Sequence, residues 1–500
     1  MAQSPLLRQL LAISDKVRKP MQVDLQGLPL TGADANSAAL YRQGVDELVL
    51  FKTTVFDTLD QAISATPNFP MASFAKAYLH LFMTEPASTA LAVETIANLK
   101  THAPASSWSD RERAHAEAID AWIGGDMRKA ARVLDRLGID EPRDILGLRI
   151  GHELDFFSGN TRNLKDRVAR QIGQWHRSDA QYGVVHGCYA FGLEENGEYE
   201  RAEHHGRLAL DYRPDDVWAI HAVTHSLEMR GAIGAGLSFL NARKDSWAAG
   251  NLFSAHNWWH KGLFHLDLGD YGRALEVYDR ALFHDDSPKI ALVLLDASAL
   301  LWRAHLEGVD VRSRFETLSA AWETVLPDVS HYVFNDVHAV MAHVGAENLG
   351  EARRVLANLE AFVASDGAET NNRANGQRVG IPLAKAFLAF GEQRYRDAAE
   401  EILNARGHAV EFGGSAAQRD VLDRTLIEAA IRSDWTNLAT ALASERITAR
   451  PENPYGWIKS AVALEKARKT IAAASARETG ERLKTRVHGP ACNTPDPSFA

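Results

Sequence analysis

Cysteine is nearly absent. Cys188 and Cys492 are the two in 500 residues, and neither belongs to a CxxC pair. A disulfide framework and a cysteine-built metal site are both excluded, and the expected compartment is reducing and cytoplasmic. An excess of positive charge is lacking as well. The formal net charge is −10, whereas broad nucleic-acid contact needs a concentrated Lys/Arg surface to neutralise phosphates. No nucleic-acid partner is expected. No run of about 18 apolar residues occurs, so no membrane-spanning helix is expected either. The opening MAQSPLLRQLLAISDKVRKP has too short an apolar stretch, and no small-residue cleavage pattern, for a secretory signal. Two-residue alternation, the mark of half-buried strands, is missing throughout. So are GxGxxG after a strand, GxxxxGKS/T, GxSxG and the EF-hand loop, which removes the common phosphate cradles, the nucleophile elbow and the calcium loop.

What is present is histidine, 20 of them, together with 11 tryptophans. Histidine titrates near neutrality and ligates metals, but it also accumulates harmlessly in helical cores, so its placement has to decide. A repeat sets that placement. Short turns recur as GGDMRKAARV at Gly125, SGNTRNLKDRV at Gly159, NGEYERAEHHG at Gly197, RGAIGAGLSFL at Gly231 and LGDYGRALEVY at Gly269. Their steps are 34, 38, 34 and 38 residues, with less regular turns at Gly308, Gly350 and Gly391. A period near 34 is the tetratricopeptide length, two antiparallel helices per repeat. In GDYGRALEVYDRALFHDD, Tyr271, Ala274, Tyr278 and Ala281 share one helix face. The small alanines let the preceding helix approach, and the tyrosines fill the gap between repeats.

The expected fold is therefore all-α, a tetratricopeptide-like helical-hairpin solenoid with a concave inner groove or cavity. Residues 1–34 read as an N-terminal helix and loop, 35–105 as a degenerate helical start and 106–345 as the regular array. Residues 346–483 read as further helical repeats, and 484–500, rich in helix breakers, as a disordered tail.

Counted back from the turn glycines, His186, His221, His225, His256, His260, Asp296, Asp336 and His338 fall in one band of the first helix of successive repeats. First helices line the concave side of such arrays. In HAVTH (221–225) and HNWWH (256–260) the partners stand at i and i+4, one above the other on a helix face. Packed helices lie about 8–10 Å apart, so two such pairs can converge on one divalent ion, Zn²⁺ or Fe²⁺. The expected ligands are His221, His225, His256, His260 and Asp296. Glu228 and Asp296 are each an oxygen ligand or a partner fixing an imidazole tautomer, and Glu228 counts among the expected catalytic groups. Asp336 and His338 are the expected acid/base pair, and Arg419, in the helix start GGSAAQRD, orients an anionic group.

HxxxH by itself is a weak signal. It is also not the metalloprotease motif, since Ala222 and Asn257 stand where that motif has glutamate. A hydrogen-bonded network between helices satisfies the same imidazoles without any chemistry. Trp258 and Trp259 read as core, His204, His205 and His284 as surface, EENGEYERAE as a solvated helix face and Cys188 as an inert thiol.

WAIHAVTHSLEM, SAHNWWHKGLFHLDLGDYGRALEVYD, FNDVHAVM and GGSAAQRDV resemble the tetratricopeptide repeat protein 38 family of bacteria and animals, with the likeness running over about residues 35–460. Carried over position by position, the resemblance covers His221, His225, Glu228, His256, Asn257, His260, Asp296, Asn335, Asp336, His338, Gly413, Gly414, Ser415, Gln418, Arg419 and Asp420. It implies the repeat fold and a His/Asp-dominated groove; it brings no activity with it.

Two functions stay open. One is an enzyme acting on a small molecule by hydrolysis or related acid–base chemistry, with a metal or with His–Asp pairs alone. The other is a non-catalytic scaffold that takes a peptide or protein in its groove. Self-association through the exposed repeat ends is open in both.

Overall fold

The structure, a computed structural model, describes residues 21–326, 328–367 and 370–487. The expected helix before residue 21 and most of the expected tail lie outside the described residues. Within them, residues 484–487 finish the helix Thr470–Val487 and are not tail.

The architecture is an all-α helical repeat. Among the described residues the only β features are two isolated bridges. No helix there is long and apolar enough to cross a membrane. Helices alternate between two layers. The inner ones, Ile145–Phe157, Tyr182–Glu194, Val217–Met229, Ser254–Leu268, Ala291–Leu306 and Val333–Gly345, are apolar on nearly every side, and all of Val217–Met229 is buried. An outer helix such as Tyr199–Tyr212 buries only the stripe Ala202, Gly206, Ala209 and Leu210, which seats it against its neighbours. Aspartates start many of these helices: the Asp126, Asp144, Asp216 and Asp270 side chains each accept a backbone N–H in the first turn.

The chain reverses on residues in the left-handed region. Gly125, Gly159, Gly197, Gly231, Gly269 and Gly308 all have positive φ. The expected turns at Gly350 and Gly391 differ in detail. There the left-handed residues are Glu347 (φ 59°) and Gln393 (φ 60°), and Asp434 and Arg468 mark two further turns. A side chain in this region costs little enough that packing can impose it, so counting glycines misses the later repeats.

Gly159 tolerates no such replacement. A Cβ there would stand 1.8 Å from the Val410 carbonyl oxygen, whereas at Gly197 it would meet nothing within 4 Å. Gly159→Ala is expected to cost about 2–4 kcal/mol, strain plus backbone displacement, against about 1 kcal/mol for Gly197→Ala. Denaturant midpoints of the two variants check this; equal losses contradict it.

Both ends of the chain cover the inner layer. From the N-terminal side, the Phe51 carbonyl accepts from Leu252 N at 2.7 Å, Glu85 accepts from Ala291 N at 2.7 Å and Asn335 donates to the Thr84 carbonyl at 3.1 Å. From the C-terminal side, Trp302 donates to Thr425 at 2.9 Å and Arg303 to the Ala417 carbonyl at 2.7 Å. The inner face is thus a partly enclosed cavity, the closed one of the two forms expected.

Candidate metal centre and its cavity

Two neighbouring inner helices build the centre. Val217–Met229 is started by Asp216, whose side chain accepts from the Trp218 and Ala219 amides at 3.0 Å each. One turn apart on it, His221 and His225 have ring centroids 4.3 Å apart. On Ser254–Leu268, His256 and His260 stand 4.9 Å apart in the same way. The two pairs face each other: His221 to His256 is 4.9 Å, His225 to His260 4.4 Å and His221 to His260 5.0 Å. One ring nitrogen from each of the four lies within 4.8 Å of all the others. The His221 and His256 Nε2 atoms are 3.1 Å apart. A tetrahedral ion with bonds of about 2.0–2.1 Å separates its ligand atoms by roughly 3.3 Å.

Carboxylates occupy the other side of three rings. His256 Nδ1 lies 2.7 Å from Asp296, His260 Nδ1 2.8 Å from Glu228, and His225 Nδ1 3.3 Å from Glu194. Asp296 and Glu228 therefore sit behind the imidazoles, the place that fixing a tautomer requires, and not among the converging nitrogens. Glu194 was misread within EENGEYERAE. It is the last residue of the inner helix Tyr182–Glu194, 1% exposed, and the Glu195 side chain beside it is buried as well, against Arg419.

Burial dominates the electrostatics. It pulls the His225 imidazole down to about 3 and those of His221 and His260 well below the usual range, so all three stay neutral and able to ligate. The same burial pushes the Glu228 and Glu194 carboxyls up to about 8, and the nearby Arg450, with Arg303 or Arg419, offsets only part of it. Several atoms are left without hydrogen-bond partners: both ring nitrogens of His225, Nε2 of His260, Nδ1 of His221 and both oxygens of Glu194.

The remaining expected site residues are dispersed. Asp336 accepts from Ser330 and is pushed up to about 7 by burial. His338 turns its Nδ1 to the Phe334 carbonyl at 2.8 Å, so the two do not form an acid/base pair. On one helix, positions i and i+2 point to different faces. Arg419 is held by Glu195 at 3.1 Å and by the Gly414 carbonyl. Ser415 caps its helix by accepting from Gln418 N. Asp420 belongs to a buried cluster with Arg424, Arg446 and Arg450. His186 leaves the band altogether and stacks on His205, ring centroids 5.0 Å apart and planes 8° apart. Cys188 is buried and its thiol is pushed up to about 11, as suits an inert one.

A cavity of about 160 Å³ opens beside His221 and His256. Its walls come from residues between Leu48 and Gln418: Phe51, Phe82, Phe157, Trp218, Phe253 and Phe334, with Arg149, Glu153, Asp296, Tyr332 and Gln418 as the other polar groups. The i, i+4 spacing of Arg149 and Glu153 does not by itself separate the pair from a surface salt bridge.

His338 gives a pH test. Burial pulls it and His343 down to about 4. An unfolded histidine takes up its proton near 6.5, so each group's stabilising effect is complete above that value and is lost as pH falls toward 4. Glu194 and Glu228, raised above their unfolded values, run the other way. The clean readout is therefore a difference: between pH 7 and 5, His338→Gln should lose about 2 kcal/mol less stability than the parent chain. Parallel pH profiles would contradict the assignment.

No protein-family model matches the chain. Among solved structures, it is similar to the Cut9–Hcn1 hetero-tetramer of the APC/C, at 11% identity over 91% of this chain and 97% of that one, TM-score 0.31. It is also similar to a human IFIT1 dimer with PPP-AAAA, at 12% identity over 90% and 95%, TM-score 0.37. The TPR domain of P58(IPK) matches at 12% identity over 77% of this chain and all of that one, TM-score 0.20. At such scores the likeness says nothing about what this chain binds.

Proposed function

We propose that this chain holds one divalent ion, Zn²⁺ or Fe²⁺, on His221, His225, His256 and His260, and acts on a small molecule in the adjoining cavity by hydrolysis or a related acid–base step. In this reading it belongs with the tetratricopeptide repeat protein 38 family that it resembles. The carrying observation is the set of carboxylates behind the imidazoles. Nδ1 of His225, His256 and His260 faces Glu194, Glu228 or Asp296, and the opposite nitrogens converge. Carboxylate–histidine–metal triads orient ligands in this way. A purely structural network accounts for it less well, because unmet buried nitrogens and carboxylate oxygens each cost about 1–3 kcal/mol, and an ion relieves both.

Bound there, a divalent ion supplies Lewis acidity and a water of lowered pKa. The chain's residues supply the rest: His256, the least buried of the four, meets the cavity, Asp296 holds its ring, and Phe253 and Trp218 exclude bulk water. Four nitrogens close a tetrahedral zinc site, whereas an ion that prefers six positions keeps two for substrate and water. Fe²⁺ therefore suits the catalytic version better.

Metal analysis of protein purified without chelator tests the proposal. Near-stoichiometric ion is expected, and metal-free protein of undiminished stability sinks it. Glu228→Gln and Asp296→Asn should each weaken the ion about 10–100-fold in a competition titration with a chromophoric chelator, by loosening ring orientation; unchanged affinity would deny the carboxylates that role.

A second reading is the non-catalytic scaffold that docks a peptide or protein partner. The repeat fold by itself favours it, since nothing in stacked helical hairpins demands catalysis. It needs no ion, and a pull-down returning one stoichiometric protein with a metal-free chain would select it.

A further inference from the structure

The cavity beside the imidazoles has a size and polarity that ion binding alone does not require. Its 160 Å³ matches the scale at which an apolar pocket takes up a benzene-sized molecule. Its walls press directly on the candidate ligands: Phe253 packs on His221 and on His256 at 4.9 Å each, and Phe51 packs on Phe253 at 5.0 Å. The charged groups facing it each have a partner. Arg149 is bound to Glu153 and lies over the rings of Phe51 and Trp218 at 4.8 and 4.3 Å, while Asp296 is taken by His256. The four candidate ligands are imidazoles, which ligate uncharged, so a divalent ion on them keeps a net positive charge even beside the Asp296 carboxylate. It then draws an anionic oxygen from the cavity side. An amine meets repulsion from the ion. A peptide segment brings amide groups that aromatic walls leave unpaired.

We propose that the cavity takes a carboxylate carried on a single ring or a short alkyl chain, its head beside His256 and its body against Phe51 and Phe253. The proposal rests on the metal reading above. It is tested on the full chain loaded with Co²⁺, titrated with benzoate and, in parallel, with benzylamine, and followed by cobalt visible absorption and by calorimetry. Benzoate should shift the cobalt spectrum saturably, and benzylamine at the same concentrations should not. Leu79→Trp and Leu292→Trp, two separate fillings of the cavity wall, should each keep the cobalt spectrum of the free protein and weaken benzoate at least tenfold. Cobalt uptake with a spectrum indifferent to benzoate overturns this inference and leaves the metal reading standing. Failure to take up cobalt overturns both. Benzoate binding that neither tryptophan variant weakens lies elsewhere on the molecule, and overturns the cavity assignment.

Discussion

The double variant His221→Ala/His260→Ala is expected to carry no divalent ion under conditions in which the parent chain carries close to one. Each substitution takes a nitrogen from a different helix, which leaves the diagonal pair His225 and His256, two donors in place of four. An ion present at about 100 times its dissociation constant stabilises the folded chain by roughly 2.7 kcal/mol. Adding ion should therefore raise the melting temperature of the parent and leave the variant where it was. The variant also separates the metal from the network reading. If the four rings serve only as a hydrogen-bonded network, chelator has no effect on the parent's stability and the variant's loss is the same with or without ion. Helix content by circular dichroism verifies that the variant is folded, since the substituted positions lie inside helices that alanine favours.

Asp420→Ala is expected to destabilise the chain by about 3–5 kcal/mol, the usual consequence of removing one partner from a buried charge cluster. Asp420 accepts from Arg424 at 2.7 Å and from Arg446 at 2.6 Å, and lies 3.4 Å from Arg450; burial raises its carboxyl, but Arg446, Arg450 and Arg424 together hold it well below the ordinary range. Arg424 also reaches Asp267 on the inner helix that carries His256 and His260, and Asn453 donates to the same Asp267 at 2.6 Å. The cluster thus ties the C-terminal repeats to the back of the candidate metal centre. Without Asp420, buried Arg446 and half-buried Arg450 lose the carboxylate each is paired with. Urea midpoints read the loss, and a change under about 1 kcal/mol would mean that water already reaches the cluster. Asp420 falls within the resemblance to the tetratricopeptide repeat protein 38 family. Its surroundings show that a family position near the groove can be there for packing.

The two HxxxH pairs were legible because helical geometry is local. A spacing of four puts two rings on one face whatever the helix packs against, and the glycine turns put the two helices in consecutive repeats. Glu228 and Asp296 were legible as partners but not in their parts, since which atom of a ring a carboxylate faces depends on distances between helices. Glu194 was hidden. It ends an inner helix inside a run of acidic residues, and only burial distinguishes it and Glu195 from Glu198. Asp336 and His338 were joined by sequence proximity and parted by the helix, which sends i and i+2 to different neighbours.

Periodicity alone settled the all-α repeat, the alternation of inner and outer helices and the facing of two histidine pairs, because each depends on contacts between residues fewer than about 40 positions apart. The tertiary structure decided that the inner face is covered. Phe51, Arg149, Phe253 and Gln418 meet around one cavity because both ends of the chain fold over the middle. No spacing records that event, since contacts over hundreds of residues are set by how the superhelix curves and closes, which is the sum of many small packing angles.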